Sequence, residues 1–154
     1  MTATTEGVPR HSQEPILVVD DDPVQHALIK NYLRHRRVSH AHSPGEALDI
    51  LRQEDILVVI MDLYMPEMDG LELLRRIKRS NGIVQVIVIT ASEEMEDLLK
   101  ALAAGANDFL LKPLDKQALD RALENALARI SRWKSTLMEL FQRKKEARQE
   151  ESWD

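Results

Sequence analysis

Cysteine is absent from all 154 residues. Its absence excludes disulfides, thiolate zinc sites and cysteine nucleophiles together, and fits a reducing compartment. Aromatic residues make up only 4% of the chain, which leaves few platforms for stacking single-stranded bases. The formal net charge of −5 argues against a general nucleic-acid binder, so no direct nucleic-acid partner is expected. Long apolar runs are missing too. No stretch approaches membrane-spanning length, and the opening "MTATTEGVPRHSQEP" lacks the apolar segment of a signal peptide. The expectation is a cytoplasmic protein with no membrane partner. What the chain does have is 44% hydrophobic content, enough for the core of one domain with an extension left over.

Residues 1–14 are polar and without period, and read as a mobile leader. "ILVVD" (16–20), "ILVVIM" (56–61), "VQVIVIT" (84–90) and the shorter "DFLLK" (108–112) are apolar, largely β-branched runs of the kind found in strands buried on both faces. "VSHAH" (38–42) alternates as an exposed edge strand does. Helical periods lie between the runs, at 23–36, 44–53, 70–80 and 93–104. In "SPGEAL", Ser43 caps, Pro44 takes the first helical position and Glu46 closes a capping box. Asn81-Gly82 and Gly105 stand where helices should stop. Five strands alternating with helices predict an α/β fold with a parallel sheet covered on both faces.

The stretch "VVDDDPVQ" divides its aspartates by position. Pro23 suits the first helical turn, which makes Asp22 the N-cap, a structural task. Asp20 and Asp21 remain, at the carboxyl end of the first strand, where open α/β sheets keep their binding crevices. The third strand delivers Asp62 to the same edge, the fourth ends in Thr90 and the fifth in Lys112. Three converging carboxylates repel unless a cation sits between them, and hard oxygen ligands suit magnesium. Together with a hydroxyl and an ammonium they offer a nucleophile, a metal site and donors for a phosphoryl group. His40 and His42 could clip a metal as an i, i+2 pair, but they have no third ligand in the sequence. Met65, Met68 and Leu71 read as packing for the loop and helix after Asp62.

The ordered set "ILVVDDDP", "MDLYMPEMDG", "VIVITAS" and "FLLKPL" resembles the receiver domain of two-component response regulators across residues 15–125. The resemblance implies a flavodoxin-like doubly wound sheet of strand order 2-1-3-4-5. It also implies a bacterial signalling switch, not an enzyme beyond its own phosphorylation and dephosphorylation. Asp62 would accept a phosphoryl group from a histidine kinase or phosphotransfer protein. Asp21 and Asp62 would ligate Mg2+ directly, with Asp20 acting through water and the Tyr64 backbone carbonyl completing the set. Thr90 would meet a phosphoryl oxygen, Lys112 would pair with the phosphate, and Phe109 would be the aromatic switch, without the hydroxyl that many relatives carry. Tyr64 and Ser92, two positions beyond Asp62 and Thr90, would tune water access. The Lys112–Pro113 bond is expected to be cis.

After Pro113, Asp115 can cap a helix with apolar positions at Leu119, Leu123, Ala126, Ile130, Trp133, Leu137 and Leu140. The alternating four-three spacing is that of a coiled-coil seam. Residues 126–154 therefore read as an extension of the last helix, a coiled-coil linker making a homodimer. The competing reading has the helix pack as far as Ile130 and fray beyond it. Output would fall to a downstream protein effector. The alternative is the receiver and linker of a longer regulator whose effector enzyme, of phosphatase or cyclase type, lies outside this chain. A magnesium phosphatase acting on small substrates lacks a substrate-pocket signature here.

Overall fold

The computed structural model describes residues 14–66 and 69–151. The leader expected over 1–14 (except Glu14), the packing expected of Met68 and the last three residues of the extension lie outside the described residues. Ten elements follow in order: β1 Ile16–Val19, α1 Pro23–Tyr32, β2 Val38–Ala41, α2 Pro44–Gln53, β3 Val58–Asp62, α3 Gly70–Ser80, β4 Gln85–Thr90, α4 Met95–Ala104, β5 Asp108–Leu111 and α5 Lys116–Glu151. The strands form one sheet in the order β2-β1-β3-β4-β5, parallel at every pairing.

Every residue of β1, β3 and β4 is buried, because successive side chains serve opposite cores. Leu17, Val19, Val59, Met61, Val86 and Val88 face α2, α3 and Ala101 of α4, and Met65 and Leu71 pack on that side as expected. Ile16, Val18, Val58, Ile60, Ile87 and Ile89 face Ile29 and Leu33 and the inner side of α5. β2 is an edge strand, as its alternation predicts, with only Ala41 buried.

The helix ends follow the local chemistry. Asp22 caps α1 by accepting the Val24 N–H at 2.9 Å. Ser43 caps α2 by accepting the Glu46 N–H at 3.2 Å. The Glu46 carboxylate reaches one residue further than a capping box requires and accepts the His42 N–H at 3.2 Å. Gly105 ends α4 at φ 105°, a left-handed conformation that glycine adopts without strain. Asp115 accepts the Ala118 N–H at 3.0 Å at the start of α5. Two boundaries differ from the sequence pattern. α1 stops at Tyr32 instead of 36, where Leu33 leaves helical geometry and the Arg36 N–H turns back to the Leu33 carbonyl at 2.8 Å. α4 begins at Met95 instead of 93, because the Ser92 side chain takes the Glu94 N–H into a turn.

α5 has two regimes. Leu119, Ala122, Leu123, Ala126, Leu127 and Ile130 are buried on the sheet. From Ser131 to Glu151 every residue is exposed, yet the helix continues unbroken for 36 residues. Among the described residues no helix is long and apolar enough to cross a membrane.

Candidate functional site

The strand order reverses direction between β1 and β3, and open α/β sheets bind ligands outside the carboxyl ends of the strands at such a point. Asp20 follows β1 and is buried. Asp62 ends β3 and is buried too, and Thr90 ends β4 with no exposure at all. Lys112 follows β5. Its Nζ lies 2.8 Å from Asp62 Oδ2 and 3.2 Å from Asp20 Oδ2, so one ammonium bridges the acids of two neighbouring strands. The Lys112–Pro113 bond is cis, as expected, and the Lys112 N–H donates to the Thr90 carbonyl at 2.9 Å. Thus β4 and β5 aim the lysine at the acids.

The remaining oxygens of the two acids are held by backbone. Asp20 Oδ1 accepts the Asp22 N–H at 2.9 Å, and Asp62 Oδ1 accepts the Tyr64 N–H at 3.0 Å. Burial pushes the Asp20 carboxyl above its usual pKa, against the opposing pull of the Asp22 N–H and the Lys112 charge. Burial alone would lower Lys112, but its hydrogen bond to Asp62 and the two carboxylate charges outweigh that and raise it. Asp21 is exposed. Asp22 caps α1 as the sequence predicts, while Asp20 and Asp62 pair with the Lys112 ammonium.

Asp20, Asp21, Asp62 and the Tyr64 carbonyl are all hard oxygen donors, the chemistry that suits magnesium. Two of the carboxylates already converge on a positive charge, so the residues fit a divalent ion. As the structure stands, no three acidic or imidazole side chains among the described residues close around one point. Receiver domains generally bind Mg2+ at such an acidic site.

Around the crevice, Thr90 Oγ1 accepts the Ser92 N–H at 3.2 Å. Tyr64 is 55% exposed, and its hydroxyl donates to Asp97, which also accepts from the Ser92 hydroxyl. That shared carboxylate ties the loop after β3 to the start of α4. The bond to Asp97 raises the Tyr64 pKa. Phe109 packs half-buried on the α4 side of the sheet, beside a cavity of about 110 Å³ also lined by Leu98, Leu102 and Ala106.

Sequence reading missed two residues. Asp97 carries no signal in the chain, since its role depends on two loops meeting. His26 is buried on α1 and contacts both His40 and His42. Burial first, then the neighbouring His26, Lys30 and His42, hold His40 below the usual imidazole range.

Comparison with known proteins places these features in a family. Residues 16–124 match the family described as the response regulator receiver domain. The chain is 39% identical over 120 residues to the transcriptional regulatory protein ZraR of Escherichia coli K12, covering 77% of this chain and 27% of that regulator. It is 36% identical over 131 residues to the two-component response regulator ORR5 of Oryza sativa subsp. japonica, covering 82% of this chain and 98% of that one. Among solved structures, the CheY-like receiver domain protein of Methanospirillum hungatei JF-1 superposes with a TM-score of 0.74 at 27% identity, covering 79% of this chain and 98% of that one. The receiver domain of an HD domain-containing protein from Pseudomonas fluorescens Pf-5 gives 0.74 at 29% identity, covering 77% and 98%. The chain spans about a quarter of the length of the ZraR relatives. By family match, sheet order and the residues at the strand ends, the chain belongs to the response regulator receiver domains of two-component systems.

Proposed function

We propose that this chain is a phosphorylation-controlled switch that takes a phosphoryl group onto Asp62 from the phosphohistidine of a histidine kinase or phosphotransfer protein. The observation that carries the reading is the Lys112 ammonium held between Asp62 and Asp20 at 2.8 and 3.2 Å, at the strand-end crevice. In the transfer, an Asp62 carboxylate oxygen forms the new bond to phosphorus as the nitrogen–phosphorus bond of the donor breaks. The electron pair leaves with the imidazole, which takes up a proton. Asp21, Asp62 and the Tyr64 carbonyl, with Asp20 through water, would hold a magnesium ion, which when bound would neutralise charge on the phosphoryl oxygens.

This chain's own residues do the rest. Lys112 stays paired with the new dianion. The Thr90 hydroxyl turns to a phosphoryl oxygen and gives up the Ser92 N–H, and the Phe109 ring fills the space vacated. Tyr64 and Ser92, joined through Asp97, tune the access of water and so the lifetime of the acyl phosphate. Incubation of wild type and Asp62→Asn with a small phosphodonor and magnesium, followed by intact mass measurement, tests the assignment. The wild type gains one phosphate and the variant none. An adduct on the variant at wild-type yield refutes it.

The output reading rests on α5. Trp133, Leu137 and Leu140 are 55%, 37% and 48% exposed at coiled-coil spacing, which supports a homodimer acting on a downstream protein effector from the cytoplasm. A second reading makes this chain the receiver and linker of a longer regulator with a phosphatase- or cyclase-type effector. The similarity to the receiver of an HD domain-containing protein favours it.

A further inference from the structure

The sequence offers His40 and His42 with no third partner, and the fold brings one. His26 is 6% exposed, and its Nε2 lies 2.7 Å from the Asp20 carbonyl oxygen. A carbonyl only accepts, so Nε2 carries the proton and Nδ1 presents a bare lone pair. That lone pair faces His40 Nδ1 at 2.7 Å. The His42 ring stands against His26 from another side, with centroids 4.3 Å apart. A ring locked by donating one N–H to a backbone carbonyl, with its other nitrogen turned to a shared point, is how metal-ligating histidines are oriented.

We propose that His26, His40 and His42 form a binding site for a transition-metal ion of the zinc or nickel class, separate from the carboxylate crevice. Imidazole nitrogens favour such ions, whereas magnesium prefers oxygen, so the two sites sort cations by chemistry. Without the ion, His40 donates the one proton between the two Nδ1 atoms. On binding, His40 changes tautomer, its proton passing through solvent from Nδ1 to Nε2 so that the ring stays neutral, and two nitrogen–metal bonds of about 2.0–2.1 Å form, which parts the Nδ1 atoms to about 3.3 Å at a tetrahedral centre. The surroundings allow this: His40 lies on the edge strand β2 and His42 is exposed. Before the ion arrives the three rings do not close around one point, and rotation of His42 supplies the third arm. Because His26 also holds the Asp20 carbonyl, occupancy stiffens the end of β1 beside the acids.

Calorimetric titration of zinc chloride into the full chain carrying Asp21→Asn and Asp62→Asn tests the site without competition from the crevice, and without dependence on phosphorylation. One equivalent should bind, with a rise in the thermal unfolding midpoint. Adding His40→Gln should weaken binding at least about tenfold, and His40→Gln with His42→Gln should remove the thermal rise. His35→Gln, at an exposed histidine outside the cluster, should change neither. Circular dichroism without metal checks that each variant is folded. Absence of zinc binding in the Asp21→Asn, Asp62→Asn chain, or an unchanged affinity in the folded His40→Gln, His42→Gln variant, overturns the proposal.

Discussion

At the scale of single residues, adjacent aspartates have different work, and their loss should fail differently. Asp22 accepts a helix N–H, so Asp22→Ala should cost about 1 kcal/mol in urea unfolding and leave magnesium affinity in place. Asp21 is exposed and caps nothing, so Asp21→Ala should abolish magnesium binding at little cost in stability. Titrating magnesium against both variants checks the division. If Asp22→Ala loses the metal as fully as Asp21→Ala does, the division is wrong. Gly70 is set by space rather than by conformation. A Cβ there would stand 2.3 Å from the Leu63 carbonyl oxygen, the group that accepts the Gly70 N–H at 3.1 Å. Gly70→Ala, favourable by helix propensity, should therefore destabilise by about 1–3 kcal/mol through overpacking. Chemical denaturation measures it, and an unchanged midpoint would show that the loop after Asp62 yields freely.

Among the elements, α4 is the least anchored. Its N-cap Glu94 makes no side-chain cap bond, and Ala101 is its one buried residue, while Met95, Leu99 and Leu102 are 55–67% exposed. Few buried contacts and an open end mean a low cost of local opening. Hydrogen exchange should be faster in α4 than in α3, which buries Gly70, Leu73, Leu74 and Ile77. Glu94→Asp, which restores a capping oxygen, should slow it and add about 0.5–1 kcal/mol of stability. Equal exchange in α3 and α4 would contradict this. The same physics explains what the sequence disclosed. β1, β3 and β4 are legible because burial on both faces leaves unbroken apolar runs, and α2 and α3 are legible from their caps. The end of α1 was hidden because Leu33 continues the apolar period and no glycine or proline marks the stop. The start of α4 was hidden because Glu93 and Glu94 are good helix formers. At the site, strand ends announce Asp20, Asp62, Thr90 and Lys112. Asp97 and His26 act only through residues distant in the chain, and nothing local marks them.

For the whole molecule, the question is what covers the outer part of α5. Its inner half completes the domain core through Ile130, so the apolar positions read as one seam serve two purposes. Leu119, Leu123, Ala126 and Ile130 belong to the domain, and Trp133, Leu137 and Leu140 stand exposed. Burying that stripe from two chains at about 25 cal/mol per Å² would yield several kcal/mol, enough for a dimer at micromolar concentration. Light scattering should give twice the chain mass for wild type, and the monomer mass for Trp133→Glu with Leu137→Glu. A monomeric wild type at tens of micromolar would remove the coiled coil. The unbroken run of α5 through Ile130 has a mechanical consequence as well. The overhang from Ser131 to Glu151 is about 30 Å of stiff rod, fixed at one end in the core beside β4 and β5. A tilt of about 5° at Ile130 would carry the far tip through about 3 Å, the width of a side-chain contact. A helix fixed in this way would act as a lever arm, converting rearrangements too small to repack a core into displacements large enough to make or break a contact at its tip.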